Sequence, residues 1–324
     1  MVVLLLAFIS LLAHAEVLRP QCELSDEADC SFEGANFLQL TSTVMRGSAS
    51  HVGNVGSSKI PCYIHQTWKT DDMSKLENED MQESVRSLQR LNPECKHKIW
   101  SDQDVDAFMK KNHPELYWAW PRLKPVERAD LFRYAVVHKL GGFYADMDVR
   151  MLKPIREWEI PGDTELLVAY EIGWHLREEN RDSAGIPRNE LFEQWFFGSV
   201  PGHPVLKECL SLFETRWKWG VEDIAELTGP AIFSDAVHEH FWSAIANKTR
   251  RSVGEVVTSF AQKRAADSEE MMFPPGPGPE GSHVLILSPL EVHVPAAGGD
   301  GSAGDIAPDA LIDHQAKGIW KWQG

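Results

Sequence analysis

Apolar segments of strand length alternate with longer amphipathic segments along most of this chain. That alternation predicts an α/β sandwich with a largely parallel central sheet flanked by helices. Two further observations agree. The chain has 324 residues, 43% of them apolar, enough for one sizeable core. The run from Leu140 through Gly141-Gly142-Phe143-Tyr144-Ala145 to Asp146-Met147-Asp148 reads as a helix end, a Gly-Gly turn and a short apolar strand that ends in two acids. In open α/β sheets, ligands gather at the carboxyl ends of strands.

The elements follow in order. Ile60 to Trp68 reads as a strand running into a loop, Lys75 to Leu91 as a helix, and Lys96 to Trp100 as a second strand. Ser101 caps a helix from Asp102 to Lys111, with Asp102 and Asp104 in the first turn, where carboxylates favour the helix dipole. Pro125 to Leu140 is the next helix, with Pro near its start and Gly141 at its end. Phe143 to Ala145 is the strand before the acids. Leu166 to Tyr170 and Trp195 to Ser199 read as strands, His203 to Trp219 as a helix, and Gly229 to Glu239 as the start of another. Val284 to Leu287 is a late strand. Trp174 to Asn189 is charged and irregular. Glu269 to Ser282 and Ala296 to Pro308 are rich in Pro and Gly and read as loops.

Residues 1–15 form an apolar run ending in Ala-x-Ala, the shape of a cleaved signal peptide. A basic leading region is missing, and the run is short for a bilayer span, so a short uncleaved anchor is the alternative. Membrane association is expected only through this segment, if it is uncleaved. Residues 16–58 are polar, with Gly, Ser and Asn rising toward Ser58, and read as a stem or linker before one domain at 59–324. Five cysteines in a secretory chain permit disulfides. Cys22 and Cys30 are near enough to close a small loop. Cys62 and Cys95 pair if the two opening strands are neighbours, and Cys209 reads as a buried thiol. Connectivity is not deducible from sequence. Asn247-Lys248-Thr249 is a glycosylation sequon. The net charge of −16, with acids spread rather than blocked, argues against nucleic acid.

Asp146 and Asp148 are one residue apart, and side chains alternate along a strand, so both are expected on one face. Paired carboxylates at a strand end are a poor structural choice unless a cation sits between them. Hard oxygen ligands suit Mg²⁺ or Mn²⁺, which also bind phosphates. The bland alternative is a solvated turn, because a lone Asp-x-Asp is common.

Here the chain resembles glycosyltransferase family 32. Arg128 to Ile155 is similar to that family's Asp-x-Asp sugar-binding region. Ile60-Pro61-Cys62-Tyr63-Ile64-His65-Gln66-Thr67-Trp68-Lys69-Thr70 is similar to its opening strand and loop, and Asn92-Pro93-Glu94 with Ile99-Trp100-Ser101-Asp102 to its second strand. Pro201-Gly202-His203-Pro204, Thr228-Gly229-Pro230 with Asp235-Ala236-Val237, and His314 with Gly318-Ile319-Trp320-Lys321 follow in order. The subgroup it looks most like is the initiation-specific alpha-1,6-mannosyltransferases of the fungal Golgi. Those members resemble type II proteins with a longer anchor, and this chain departs from them there.

The resemblance implies a GT-A-like nucleotide-binding fold over residues 59–324. It implies a metal-dependent retaining enzyme, with Mn²⁺ or Mg²⁺, that moves a hexose from a nucleotide-sugar donor to a glycan or glycolipid hydroxyl. Mannose from GDP-mannose is the donor it favours. UDP-galactose or UDP-N-acetylglucosamine is the alternative, and so is a non-catalytic sugar-binding relative. A metal-dependent hydrolase is the other reading of paired acids, but no second cluster of acids and histidines stands out for a two-metal site. The resemblance places the chain in the secretory pathway, in the Golgi or ER lumen, with secretion left open.

Residue by residue, Asp146 and Asp148 are the metal candidates, with His314 completing the shell, and Arg133 supports the departing diphosphate with Arg128 or Lys317. Asp130 and Arg133, three apart, share a helix face. They read either as a surface ion pair of little value or, by resemblance, as contacts to the donor sugar. Trp68 is either a core tryptophan or a platform for the nucleotide base. Tyr144 is placed opposite Asp146, where core packing competes with a donor contact. Trp320 is expected to close over the donor. His65 reads as a satisfied strand residue.

Overall fold

The structure is a computed structural model that describes residues 58–76, 78–170, 190–257, 273, 275–288, 291–293, 306 and 308–315. The elements are β1 (Tyr63–Thr67), α1 (Glu79–Leu91), β2 (Lys96–Trp100), α2 (Asp102–Asn112), α3 (Pro125–Leu140), β3 (Gly142–Ala145), β4 (Val149–Met151) and β5 (Leu166–Ala169). They continue with β6 (Phe196–Ser199), α4 (Pro204–Lys218), α5 (Ile224–Leu227), α6 (Pro230–Thr249), β7 (Gly276–Pro277), β8 (Val284–Leu287), β9 (Val292–His293) and β10 (Ile312–His314). Residues 1–57, 174–189 and 316–324 lie outside the described residues, and with them the signal segment, the stem, Cys22, Cys30, the irregular insert, Lys317 and Trp320.

Seven strands form the central sheet in the order β2-β1-β3-β6-β5-β8-β7. β1 runs parallel to β2 and β3, and β5 runs parallel to β8. β6 pairs antiparallel with both β3 and β5, and β7 pairs antiparallel with β8. Five of the seven strands therefore point one way, and the sheet is the largely parallel, helix-flanked α/β sheet expected. Its inner strands are buried on both faces, as parallel strands covered by helices must be. Tyr144 packs into the large cluster with Leu131, Ala135, Phe197 and Phe233. Its neighbours Phe143 and Ala145 pack on the other side with Val149, Phe196 and Ile312. Among the described residues, no helix is long and apolar enough to cross a membrane.

Local chemistry explains the boundaries. α1 starts at Glu79 and not at Lys75, because the Asn78 side chain accepts from Met81 N and sets the first turn there. Ser101 caps α2 by accepting from Asp104 N. α3 begins on Pro125 and ends where Gly141 takes φ 66°. α6 runs well beyond the expected Glu239. The Pro- and Gly-rich segment expected as pure loop supplies the short edge strand β7. Cys62 and Cys95, at the amino ends of β1 and β2, form a disulfide, and Cys209 is a buried free thiol. Asn247 is exposed in the last turn of α6.

Gly142 opens β3 at φ 102°, and a Cβ there would sit 2.2 Å from the Tyr63 carbonyl oxygen. Gly142→Ala is therefore expected to cost about 3 kcal/mol, because β1 and β3 must separate as well as adopt a strained φ. Urea unfolding of the variant checks this, and a wild-type midpoint would overturn it.

A second sheet of three strands has the order β4-β10-β9. β10 is antiparallel to β4, with His314 opposite Val149, and parallel to β9. None of these strands is anticipated from the sequence.

Burial sets a pH dependence of stability. It lowers His65 and His97 to about 4 and His203 to about 3. An unfolded chain takes up these protons near pH 6.5, and the folded chain refuses them until about pH 4. Stability is thus full above about pH 6.5 and falls as pH drops toward 4. Asp130, raised to about 6, works the other way below that pH. One such histidine shifts stability by about 2 kcal/mol between pH 7.5 and 5. The chain is expected to lose at least that much, as read by denaturant midpoints at the two pH values; a gain on acidification would contradict it.

Candidate active site

β1 and β3 lie side by side and end at the same edge of the sheet. β3 stops at Ala145, and the two acids sit beyond it in a tight turn in which Val149 N donates to the Asp146 carbonyl at 3.1 Å. The turn, and not strand alternation as expected, positions the carboxylates. Met147 between them is buried and packs with Leu76, Met81, Val85 and Ile99. The backbone of the turn is held from both sides. Asp146 N donates to the Trp195 carbonyl at 2.8 Å, and Gln66 Nε2 donates to the Asp146 carbonyl at 3.1 Å. Gln66 is itself fixed by His97 Nε2, 2.8 Å from its Oε1.

The Asp146 carboxylate faces α3. Arg133 Nη2 donates to its Oδ1 at 3.2 Å, and the Tyr144 hydroxyl donates to the same oxygen at 2.9 Å. Placing Tyr144 opposite Asp146 is therefore wrong. The pairing with the chain before β6 continues one step past β3, through Asp146 N to the Trp195 carbonyl, so Tyr144 and Asp146, two apart, leave on the same side before the turn begins. Tyr144 is fully buried, and the Arg133 guanidinium lies 4.9 Å from its ring centroid.

Arg133 also meets Asp130 Oδ1 at 3.1 Å. Asp130 is 2% exposed and Arg133 5%, so the surface-pair reading is excluded and the two belong to a buried cluster. Thr228 Oγ1 donates to Asp130 Oδ2 at 3.0 Å, and Gln194 Nε2 donates to Asp130 Oδ1 at 3.3 Å. The Tyr134 hydroxyl donates to Gln194 Oε1. Burial raises Asp130 to about 6, against the pull of Arg133 and Thr228. Burial also raises Asp146, with Arg133 pulling down and Asp148 pushing up. Arg133 resists its own burial and is held charged by Asp146, Tyr144 and Asp130.

Asp148 is buried and faces β10. His314 Nε2 lies 3.4 Å from its Oδ1. Gln315 N donates to the Asp148 carbonyl at 3.0 Å, so β10 clamps the chain just past the acids. The His314 ring stacks on Trp195, with centroids 4.1 Å apart and planes within 12°.

Sequence-expected residues divide as follows. Asp130, Arg133, Tyr144, Asp146, Asp148 and His314 come together. Trp68, half-buried beside the cluster that holds Met147, stands at the same edge. Arg128 does not join them. Its Nε and Nη2 donate to the Trp120 and Pro121 carbonyls, each at 3.2 Å, because the Trp120–Arg122 turn folds over it. His65 is satisfied, receiving from Trp100 Nε1 and meeting the Gly141 carbonyl. The sequence reading missed Gln66, Gln194, Trp195 and Thr228. Gln66 and Thr228 lay in noted motifs without a role of their own; Gln194 and Trp195 carry no local signal.

Residues 78–165 match the model of the glycosyltransferase sugar-binding region containing the DXD motif. This segment is similar to a glycosyltransferase sugar-binding region. Asp146-Met147-Asp148 lies within it, and the family resemblance read from the sequence is borne out. The chain is 26% identical over 293 residues to an initiation-specific alpha-1,6-mannosyltransferase of Candida albicans, covering 83% of this chain and 74% of that one. It is 36% identical over 182 residues to the mannosyl phosphorylinositol ceramide synthase SUR1 of Saccharomyces cerevisiae, covering 54% of this chain and 41% of that protein. A solved structure, PaToxG glycosyltransferase, aligns with 66% of this chain and 81% of its own at a TM-score of 0.43 and 14% identity.

Proposed function

We propose that the chain is a metal-dependent, retaining mannosyltransferase that takes mannose from GDP-mannose to a glycan or glycolipid hydroxyl. The carrying observation is the meeting of the sugar-binding region's two acids with Arg133 on one side and His314 on the other. Names of relatives support mannose, and one of them names a phosphorylinositol ceramide product. The Cys62–Cys95 bridge supports an oxidising lumen, in the Golgi or ER.

A divalent cation, Mn²⁺ or Mg²⁺, fits the residues present. A carboxylate and an imidazole, Asp148 and His314, suit such an ion, with the Asp146 carboxylate held beside them by Arg133 and Tyr144. His314 Nε2 and Asp148 Oδ1 face each other within 3.4 Å, and the other ring nitrogen is buried without a hydrogen-bond partner among the described residues. Asp148 and His314 would hold the ion, with Asp146 alongside. Bound there, it would neutralise charge growing on the leaving diphosphate.

The chain's own groups do the rest. Arg133 orients Asp146 and opposes the upward push of burial on its carboxyl, and its Nε, buried without a partner among the described residues, is left to meet an anionic or hydroxyl group of the donor. Asp130, buried and accepting from Thr228 and Gln194, pairs with Arg133 and holds its guanidinium in place for the donor. The half-buried Trp68 is suited to stack on the base. Asp130 and Asp146 are engaged, and Asp148 faces His314, so none is placed as a covalent nucleophile. Attack is thus proposed on the face the diphosphate leaves. The acceptor oxygen bonds to the anomeric carbon, the bond to the phosphate oxygen breaks, and that oxygen takes the acceptor's proton.

The test is hydrolysis and transfer of a panel of GDP- and UDP-linked sugars, with and without Mn²⁺. Mn²⁺-stimulated turnover of GDP-mannose is expected. Turnover of UDP-sugars alone would replace the donor, and turnover of none would overturn the reading.

A further inference from the structure

A metal-binding histidine usually has its second ring nitrogen hydrogen-bonded to an acceptor that fixes the plane of the ring. His314 lacks that device among the described residues, since Nδ1 is buried with no partner. Its ring plane is set by Trp195, stacked at 4.1 Å and 12°. Trp195 is 6% exposed, so its indole is itself locked by packing. The same residue reaches the other half of the site through its backbone, accepting from Asp146 N at 2.8 Å. It is also the residue just before β6, the antiparallel strand between β3 and β5, and is thus tied to the core of the sheet.

We propose that Trp195 is a positioning residue that presets His314 against Asp148, its indole face standing in for the missing hydrogen-bond acceptor. This rests on the metal reading above. Without the indole, the imidazole is free to rotate about its side-chain bonds, and the nitrogen ligand is no longer prearranged. The stacking surface is large and rigid, and aromatic pairs gain from such contact beyond the area they bury. The carbonyl bond to Asp146 survives any substitution at this position, so side-chain variants separate the two roles.

The experiment titrates Mn²⁺ into the full chain and follows the free ion by electron paramagnetic resonance, with thermal melts in parallel. Trp195→Leu is expected to weaken Mn²⁺ binding about 10-fold or more, the range seen for lost outer-shell support. Trp195→Phe, which keeps an aromatic face, is expected to stay within about 3-fold of wild type. In a His314→Ala background, Trp195→Leu is expected to change little further, because no ring remains to be held. Trp195→Met, filling the space with a flexible chain, is the second non-aromatic variant should the Leu form not fold. A folded Leu or Met variant with wild-type Mn²⁺ affinity overturns the positioning role while leaving the metal reading intact. A wild-type chain that binds no Mn²⁺, or a His314→Ala variant that binds it as tightly as wild type, overturns the metal reading and this inference with it.

Discussion

Arg133→Ala is expected to abolish transfer and to lower stability by about 3 to 5 kcal/mol. Arg133 joins Asp130 and Asp146, and both it and Asp130 are almost wholly buried. Removing it leaves Asp130 without its cation and Asp146 facing the Tyr144 hydroxyl alone, and uncompensated buried charge costs more than the pair contributes. Burial already pushes Asp130 up to about 6, so without the guanidinium it is expected to take up a proton at neutral pH. Arg133→Lys is not expected to rescue, because one ammonium cannot span two carboxylates and the Gln194 carbonyl as a planar fork does. Denaturant melts and donor turnover of both variants are the measurements. A stable, active lysine variant would show that charge alone suffices.

Asp148→Asn is expected to cut transfer by about 10³-fold, some 4 kcal/mol of barrier, and to remove the response to Mn²⁺. The amide keeps the shape of the side chain but cannot supply the charge facing His314. The fold should survive, since β10 remains joined to β4 and the Asp148 carbonyl still receives Gln315 N. Donor turnover over a Mn²⁺ series, with a thermal melt as control, decides it. Full Mn²⁺-stimulated activity in a folded Asp148→Asn protein ends the metal assignment.

The elements with strong local punctuation were legible. Lys96 to Trp100 and Pro125 to Leu140 match their expected bounds because a capping serine follows one, while Pro125 and Gly141 bracket the other. The acids were legible because their spacing and the apolar strand before them are local facts. What escaped was non-local. Three strands of two or three residues carry too little periodicity to register, yet they place His314 beside Asp148. Gln66 and Gln194 act through partners far away in sequence; Gln66 sat inside the quoted opening strand with nothing to show its role, and nothing near Gln194 marks it. Arg128 failed for a related reason. Its neighbours in sequence suggested the site, but a turn five residues before α3 supplies the carbonyls that hold it. Tyr144 was legible in principle, and the alternation rule was misapplied to it.

The late arrival of β10 has a consequence for how the protein becomes competent. A ribosome delivers Asp130, Arg133, Asp146 and Asp148 long before residue 314, and the large sheet needs nothing beyond β8 to close. A nascent chain can thus be well folded while the nitrogen that faces Asp148 has yet to emerge. The pairing of His314 with Asp148 is thus the last step in assembling this corner of the molecule, added to a sheet that is already closed.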